Sequence, residues 1–169
     1  MIRTKRIGWM LAGGLVAACG GGAEPHQSAD SEPRGAVLTA ETLGDQAVTT
    51  ASDYLSDPRY ASANRRNGAT QAQICRACHS LEKGGAVLIG PNLYGIFGKP
   101  AGGGKDFTYS DALATAGFVW TPLALDAWLA QPARFLPGNR MTFAGVMNEG
   151  DRNDLIAYLL DVTDDSGDD

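Results

Sequence analysis

Histidine and cysteine are scarce in this chain of 169 residues, which holds two of the former (His26, His79) and three of the latter (Cys19, Cys75, Cys78). A zinc centre closed by four such side chains has too few ligands in any one region. An excess of base is also absent. The formal charge is −5, which argues against nucleic acid as a partner. No apolar run reaches the roughly 20 residues a membrane-spanning helix needs, and the stretch Ile7–Ala18 falls short of it. Sustained period-two alternation is missing, so a sheet is not expected and the class is all-α. No internal repeat is visible.

The acidity is unevenly placed. Gly20 to Pro58 carries seven acids against the single base Arg34, and Asp164, Asp165, Asp168 and Asp169 close the chain. Arg59 to Thr163 holds ten bases and eight acids. The negative charge therefore belongs to the tails and says little about what the folded part binds.

The N-terminus has the order of a secretory signal: Arg3, Lys5 and Arg6, then an apolar middle, then small residues. It ends Val16-Ala17-Ala18-Cys19-Gly20, which resembles a bacterial lipobox. That resemblance implies removal of residues 1–18, lipidation of the Cys19 thiol and export to the periplasmic side of a bacterial membrane. An uncleaved helical anchor, or an ordinary signal with an incidental cysteine, are the other readings. Residues 19–58 mix glycine, alanine, hydroxyl residues and acids. They are expected to form a flexible tether that buries too little apolar area to offset its ordering. Leu43, Ala47, Ala51 and Leu55 recur every fourth residue, which leaves a short helix open there. His26 lies in the tether and is expected to be solvated.

A domain is expected over 59–163, followed by an acidic tail over 164–169. Three helices are predicted within it. Ser110 caps a short one that ends before Gly117. Thr121-Pro122 pairs a cap with proline at the first helical position, and Leu125, Trp128 and Leu129 form one face before Pro132 stops the helix. The last runs from near Asn148 to about Val162, with Leu155, Tyr158, Leu159 and Val162 on one side.

The sharpest chemical signal is Cys75-Arg76-Ala77-Cys78-His79. C-x-x-C-H is the attachment pattern of haem c. The spacing sets two thiols one helical turn apart, to add to the two vinyl groups on one haem edge, and the next residue offers an imidazole to iron. A redox dithiol calls for a βαβ context, which the sequence lacks. With Cys19 assigned to lipid and the other two to haem, no thiol is left over. For a second axial ligand the mature chain offers the thioethers of Met141 and Met147, with His26 as an outsider. Met141 follows a proline-glycine turn at Pro137-Gly138.

From Cys75 to the end of the last helix the chain resembles class I cytochrome c of the mitochondrial and alphaproteobacterial type. The resemblance rests on Cys75–His79, Leu81-Glu82-Lys83-Gly84-Gly85 and Gly90-Pro91-Asn92-Leu93. It extends to Phe107-Thr108-Tyr109-Ser110-Asp111-Ala112, Trp120, Pro137–Phe143 and Asp154-Leu155-Ile156-Ala157-Tyr158-Leu159. It implies a class I cytochrome c fold of three to five helices around one covalent haem c. Cys75 and Cys78 would carry the thioethers, with His79 and Met141 as axial ligands. The Pro91 carbonyl would accept from the imidazole, and Tyr109 and Trp120 would donate to a propionate. Asn139 would assist the propionates and the methionine loop. Phe143 would pack at the haem edge, and Tyr158 would join the last helix to the first.

The chain also departs from the family pattern. Lys99 stands where arginine is common, Trp128 replaces a tyrosine, and Leu113 an asparagine. The family's glycine and aromatic, eight and four residues before the first thiol, fall on Asn67 and Gln71. Ile74, Ala86 and Leu88 occupy positions where mitochondrial members carry docking lysines.

The function implied is single-electron transfer without catalysis. The expected partners are a membrane donor such as quinol–cytochrome c reductase and an acceptor such as a terminal oxidase, and a monomer is expected. The rival reading is a haem c enzyme or gas sensor with an open or labile sixth position.

Overall fold

The computed structural model describes residues 38–165. The export signal, Cys19, His26 and the first half of the expected tether lie outside the described residues, as does most of the acidic tail. Seven helices follow in order: α1 (Ala51–Ser56), α2 (Pro58–Ala61), α3 (Arg65–Arg76), α4 (Asp111–Ala114), α5 (Pro122–Ala130), α6 (Pro132–Phe135) and α7 (Glu149–Thr163). Among the described residues the only extended pairing is an isolated bridge between Pro100 and Val119, and no helix is long and apolar enough to cross a membrane.

Local chemistry explains where the helices begin. Each of α2, α5 and α6 opens on proline, whose fixed φ suits a first helical position and whose missing N–H costs nothing there. Thr50 and Asp53 form a reciprocal capping box on α1. Asn64, Ser110, Thr121 and Asn148 cap α3, α4, α5 and α7 through their side-chain oxygens. Glu149 and Asp151 place negative charge at the positive end of α7.

The dominant helix pair is α3 on α7. At the crossing, a Cβ on Gly68 would lie 2.1 Å from the Asp154 carbonyl oxygen, so only glycine permits this approach. Ala72, one turn on, is fully buried. The expected helix-crossing positions, Asn67 and Gln71, are therefore each one residue early. Asn67 instead points its amide at Asp151 (2.8 Å) and Asp154 (2.9 Å). Polar ties reinforce the pair: the Asn64 N–H donates to Asp154 at 2.7 Å, and Arg65 pairs with Asp161. Leu155, Ile156, Leu159 and Leu160 of α7 are buried, as are Leu125, Trp128 and Leu129 of α5. Phe118, Trp120, Trp128 and Phe135 pack edge to face at 4.9–6.0 Å between centroids, an arrangement favoured by ring quadrupoles.

The folded part starts well before residue 59, which corrects the tether reading over 38–58. The Ala40 N–H donates to the Phe135 carbonyl at 3.0 Å, Leu43 is buried in the core, and α1 and α2 lie on α7. Tyr60 of α2 is 1% exposed. The fourfold recurrence is helical only from Ala51 onward, because Gly44 takes a left-handed φ of 68° and the chain runs irregularly to Thr50. We call residues 38–50 the strap.

Candidate haem-attachment site

α3 delivers the attachment motif at its C-terminal end. The N–H groups of Cys78 and His79 both reach the Cys75 carbonyl, at 3.0 and 2.9 Å, so the helix tightens into a last turn that sets the two thiols one turn apart. Both cysteines are free and partly buried, and burial pushes the Cys75 thiol up. The chain then loops back on itself. The Gly90 N–H donates to the Cys78 carbonyl at 2.8 Å, which lays Gly90 against the imidazole; a Cβ there would sit 2.3 Å from His79 Cε1.

His79 Nδ1 lies 2.7 Å from the Pro91 carbonyl oxygen. A carbonyl can only accept, so Nδ1 carries the proton and Nε2 keeps the lone pair. That is the tautomer a metal ligand needs, and the hydrogen bond fixes the ring plane. Burial lowers the imidazole's affinity for a second proton, partly offset by the Pro91 contact. Asn92 closes the loop, its amide donating to the Glu82 and Gly85 carbonyls, each at 2.9 Å.

The methionine-bearing segment is built by α6 and the residues after it. Asn139 is its hub: Nδ2 donates to the Pro132 (2.9 Å) and Leu136 (2.8 Å) carbonyls, and Oδ1 accepts the Met141 N–H at 2.9 Å. Both amide hydrogens are thereby engaged inside the loop. These bonds tie Asn139 into the methionine loop. Met141 and Phe143 pack against the core cluster, whereas Met147 is 77% exposed. The two thioethers thus differ in burial.

On the third side, Tyr109 and the turn before Met141 border an open groove of about 400 Å³, with Ser110, Asp111, Ala112, Gly138 and Arg140. Arg140 donates to the Thr108 carbonyl across it. Burial pushes the Tyr109 phenol up, against a hydrogen bond from the Gly104 backbone. Trp120 is buried beneath, and its backbone joins Lys99 and Gly98 at 2.9 and 2.8 Å. The Lys99 ammonium donates to the Tyr94 carbonyl at 3.0 Å. Tyr158 borders the Gly68 crossing and bonds Arg76, so it joins the last helix to α3.

The donor set fits a covalently attached haem: two thiols a turn apart, an imidazole with its outer nitrogen tied back, and a thioether packed against the core. Among the described residues no three His, Cys, Asp or Glu side chains converge as a site for a bare metal ion. The residues that sequence reasoning missed are Gly68 and the strap residues Ala40 and Leu43. A search for glycine seven rather than eight residues before Cys75 would have found the first. The strap left only Leu43 as a signal.

The chain is 46% identical over 89 residues to a cytochrome c of Theileria parva, covering 53% of this chain and 76% of that protein. It is 43% identical over 89 residues to a cytochrome c2 of Agrobacterium tumefaciens, covering 51% and 80%. A cytochrome c homolog of Bradyrhizobium diazoefficiens matches at 44% over 98 residues, covering 57% and 53%. No family model matches the chain.

Proposed function

The chain belongs to the cytochrome c family, class I of the c-type cytochromes with one covalent haem c, and on that premise we propose a membrane-tethered electron carrier whose iron is held between His79 and Met141. The observations that support this reading are local to each ligand: the Pro91 carbonyl fixes the His79 ring through Nδ1, and Asn139 holds the backbone of Met141. A haem bound there supplies reversible one-electron exchange. The protein's part is to hold both ligands, exclude water and keep the ligand set unchanged between oxidation states. His79 and Met141 together would leave a bound haem no open position for substrate, which supports a carrier over an enzyme. Cys75 and Cys78 hold the group by thioether bonds, and Tyr109 and Trp120 are assigned to the propionate side.

The tether reading places a lipid on Cys19 and the domain on the periplasmic side of a bacterial membrane. The donor would be a quinol–cytochrome c reductase and the acceptor a terminal oxidase or reductase. Around the attachment motif, Ile74, Val87, Leu88 and Ile89 are exposed, Ile89 to 79%. Arg76 pairs there with Glu82. This rim fits an electron-transfer partner with an apolar contact surface. Charge steering is then weak and association depends little on salt, while the tether supplies local concentration.

Optical spectra of the purified protein, oxidised and reduced, test the assignment. The expected result is a c-type spectrum with the Met–iron charge-transfer band of the ferric form, and loss of that band in Met141→Ala with a lowered midpoint potential. A ferric protein without the band that binds carbon monoxide rapidly on reduction would instead be an open-site enzyme or sensor.

A further inference from the structure

The strap touches the domain at the two places from which the aromatic cluster is framed. At one end the Ala40 N–H donates to the Phe135 carbonyl at 3.0 Å, and Leu43 is 5% exposed. At the other, Val48 lies against Gly98, with its Cγ1 3.0 Å from where a Gly98 Cβ would be; the Gly98 N–H donates to the Trp120 carbonyl at 2.8 Å. α1 then secures the far end of the strap. The Tyr54 hydroxyl donates to the Ala47 carbonyl at 3.0 Å and accepts from the Thr49 N–H at 3.1 Å.

Phe135 belongs to α6, and α6 is what Asn139 leans on. A short relay therefore runs from the strap to the methionine loop: Ala40 to the Phe135 carbonyl, α6 to the Asn139 amide through Pro132 and Leu136, and the Asn139 oxygen to the Met141 N–H. α6 has only four residues and no side-chain cap. Such a turn has little stability of its own, so its position depends on what packs against it.

We propose that the strap is a positioning element for the methionine loop, with Ala40 and Leu43 seating α6 on the aromatic cluster and so keeping Met141 turned toward the core. The inference rests on the assignment of Met141 as sixth ligand. It adds that how often this ligand leaves is set by a segment nearly one hundred residues earlier in the chain. An added ligand that competes with Met141 reports this directly, because its apparent affinity is scaled by the fraction of molecules whose loop is open.

The test is titration of the full ferric protein with imidazole. Ala40→Pro removes the strap's N–H and Leu43→Ala removes its anchor; Leu155→Ala deletes a fully buried α7 leucine that is no member of the hydrogen-bonded relay. The two strap variants should each bind imidazole about tenfold more tightly than the parent, with a weakened Met–iron band. Leu155→Ala should lose global stability without that change, and Leu43→Met should restore parental affinity. Unchanged affinity in both strap variants, or an equal rise in Leu155→Ala, overturns the proposal. Absence of the Met–iron band from the parent protein defeats the ligand assignment itself, and is seen before any variant is made.

Discussion

Residues 75–91 and residues 38–61 behave oppositely as sequence. The attachment stretch is dense with chemistry: two thiols, an imidazole and a Gly-Pro pair at spacings that one covalent group requires. Its geometry follows almost from the spacing. Residues 38–61 have the composition of a solvated tether, rich in threonine, alanine and acids, yet they wrap the domain and bury Leu43, Ala51 and Tyr60. A site is legible when its residues are constrained by one another. A packing segment whose few contacts lie far along the chain is not.

The largest effect that sharpens this contrast is covalent. Replacing both Cys75 and Cys78 by alanine should abolish the haem band on a denaturing gel, whereas deleting residues 38–49 should leave it. Loss of haem on strap deletion would make the two regions one unit for attachment.

Gly68→Ala comes next. Its methyl meets the Asp154 carbonyl and the Tyr158 Cβ, so α3 and α7 must separate, at a cost of about 3 kcal/mol or more. Denaturant unfolding checks this. A loss below about 0.5 kcal/mol would mean the crossing tolerates a side chain after all.

Tyr60→Phe is expected to run the other way. Its hydroxyl is the buried side-chain polar atom without a partner among the described residues, and relieving that desolvation should stabilise by about 1 kcal/mol. Burial pushes the phenol up to about 12. The contribution of its neutral form is therefore whole below pH 10, the phenol's ordinary value, and is lost as pH rises through about 12. The alkaline limb of stability should flatten in Tyr60→Phe.

Asp57 should give the smallest effect. Its hydrogen bond from the Arg59 side chain, then from the Arg59 N–H, holds the carboxyl down at about 2, from an ordinary 3.8. Its support for α2 is thus present above pH 3.8 and lost as pH falls through about 2. The difference in acid unfolding between Asp57→Asn and the parent should vanish over that window. A difference that persists at lower pH would show that charge is not the cause.

Particular residues show why some of the fold could be read and some not. Ser110, Thr121-Pro122 and Asn148 mark helix starts through local hydrogen bonds, and the helices begin where they say. Pro132 reads as a stop for α5. It is also the first residue of α6, and a four-residue helix has too short a pattern to announce itself. The α3 crossing misleads by a single position, because glycine at 68 is as ordinary in sequence as asparagine at 67 and only the Asp154 carbonyl distinguishes them. In the site, Met141 and Met147 are equal as residue types. They differ in burial: Asn139 ties Met141 into a loop packed on the core, and Met147 is exposed.

The Gly68 crossing also bears on order of assembly. Its counterpart surface, around Asp154 and Tyr158, lies in the last helix of the domain and leaves the ribosome after Cys75 and Cys78. Until that final helix arrives, the motif sits on an unclosed segment accessible to whatever machinery joins it to its porphyrin. Closure of the α3–α7 crossing therefore needs a segment made after the motif itself.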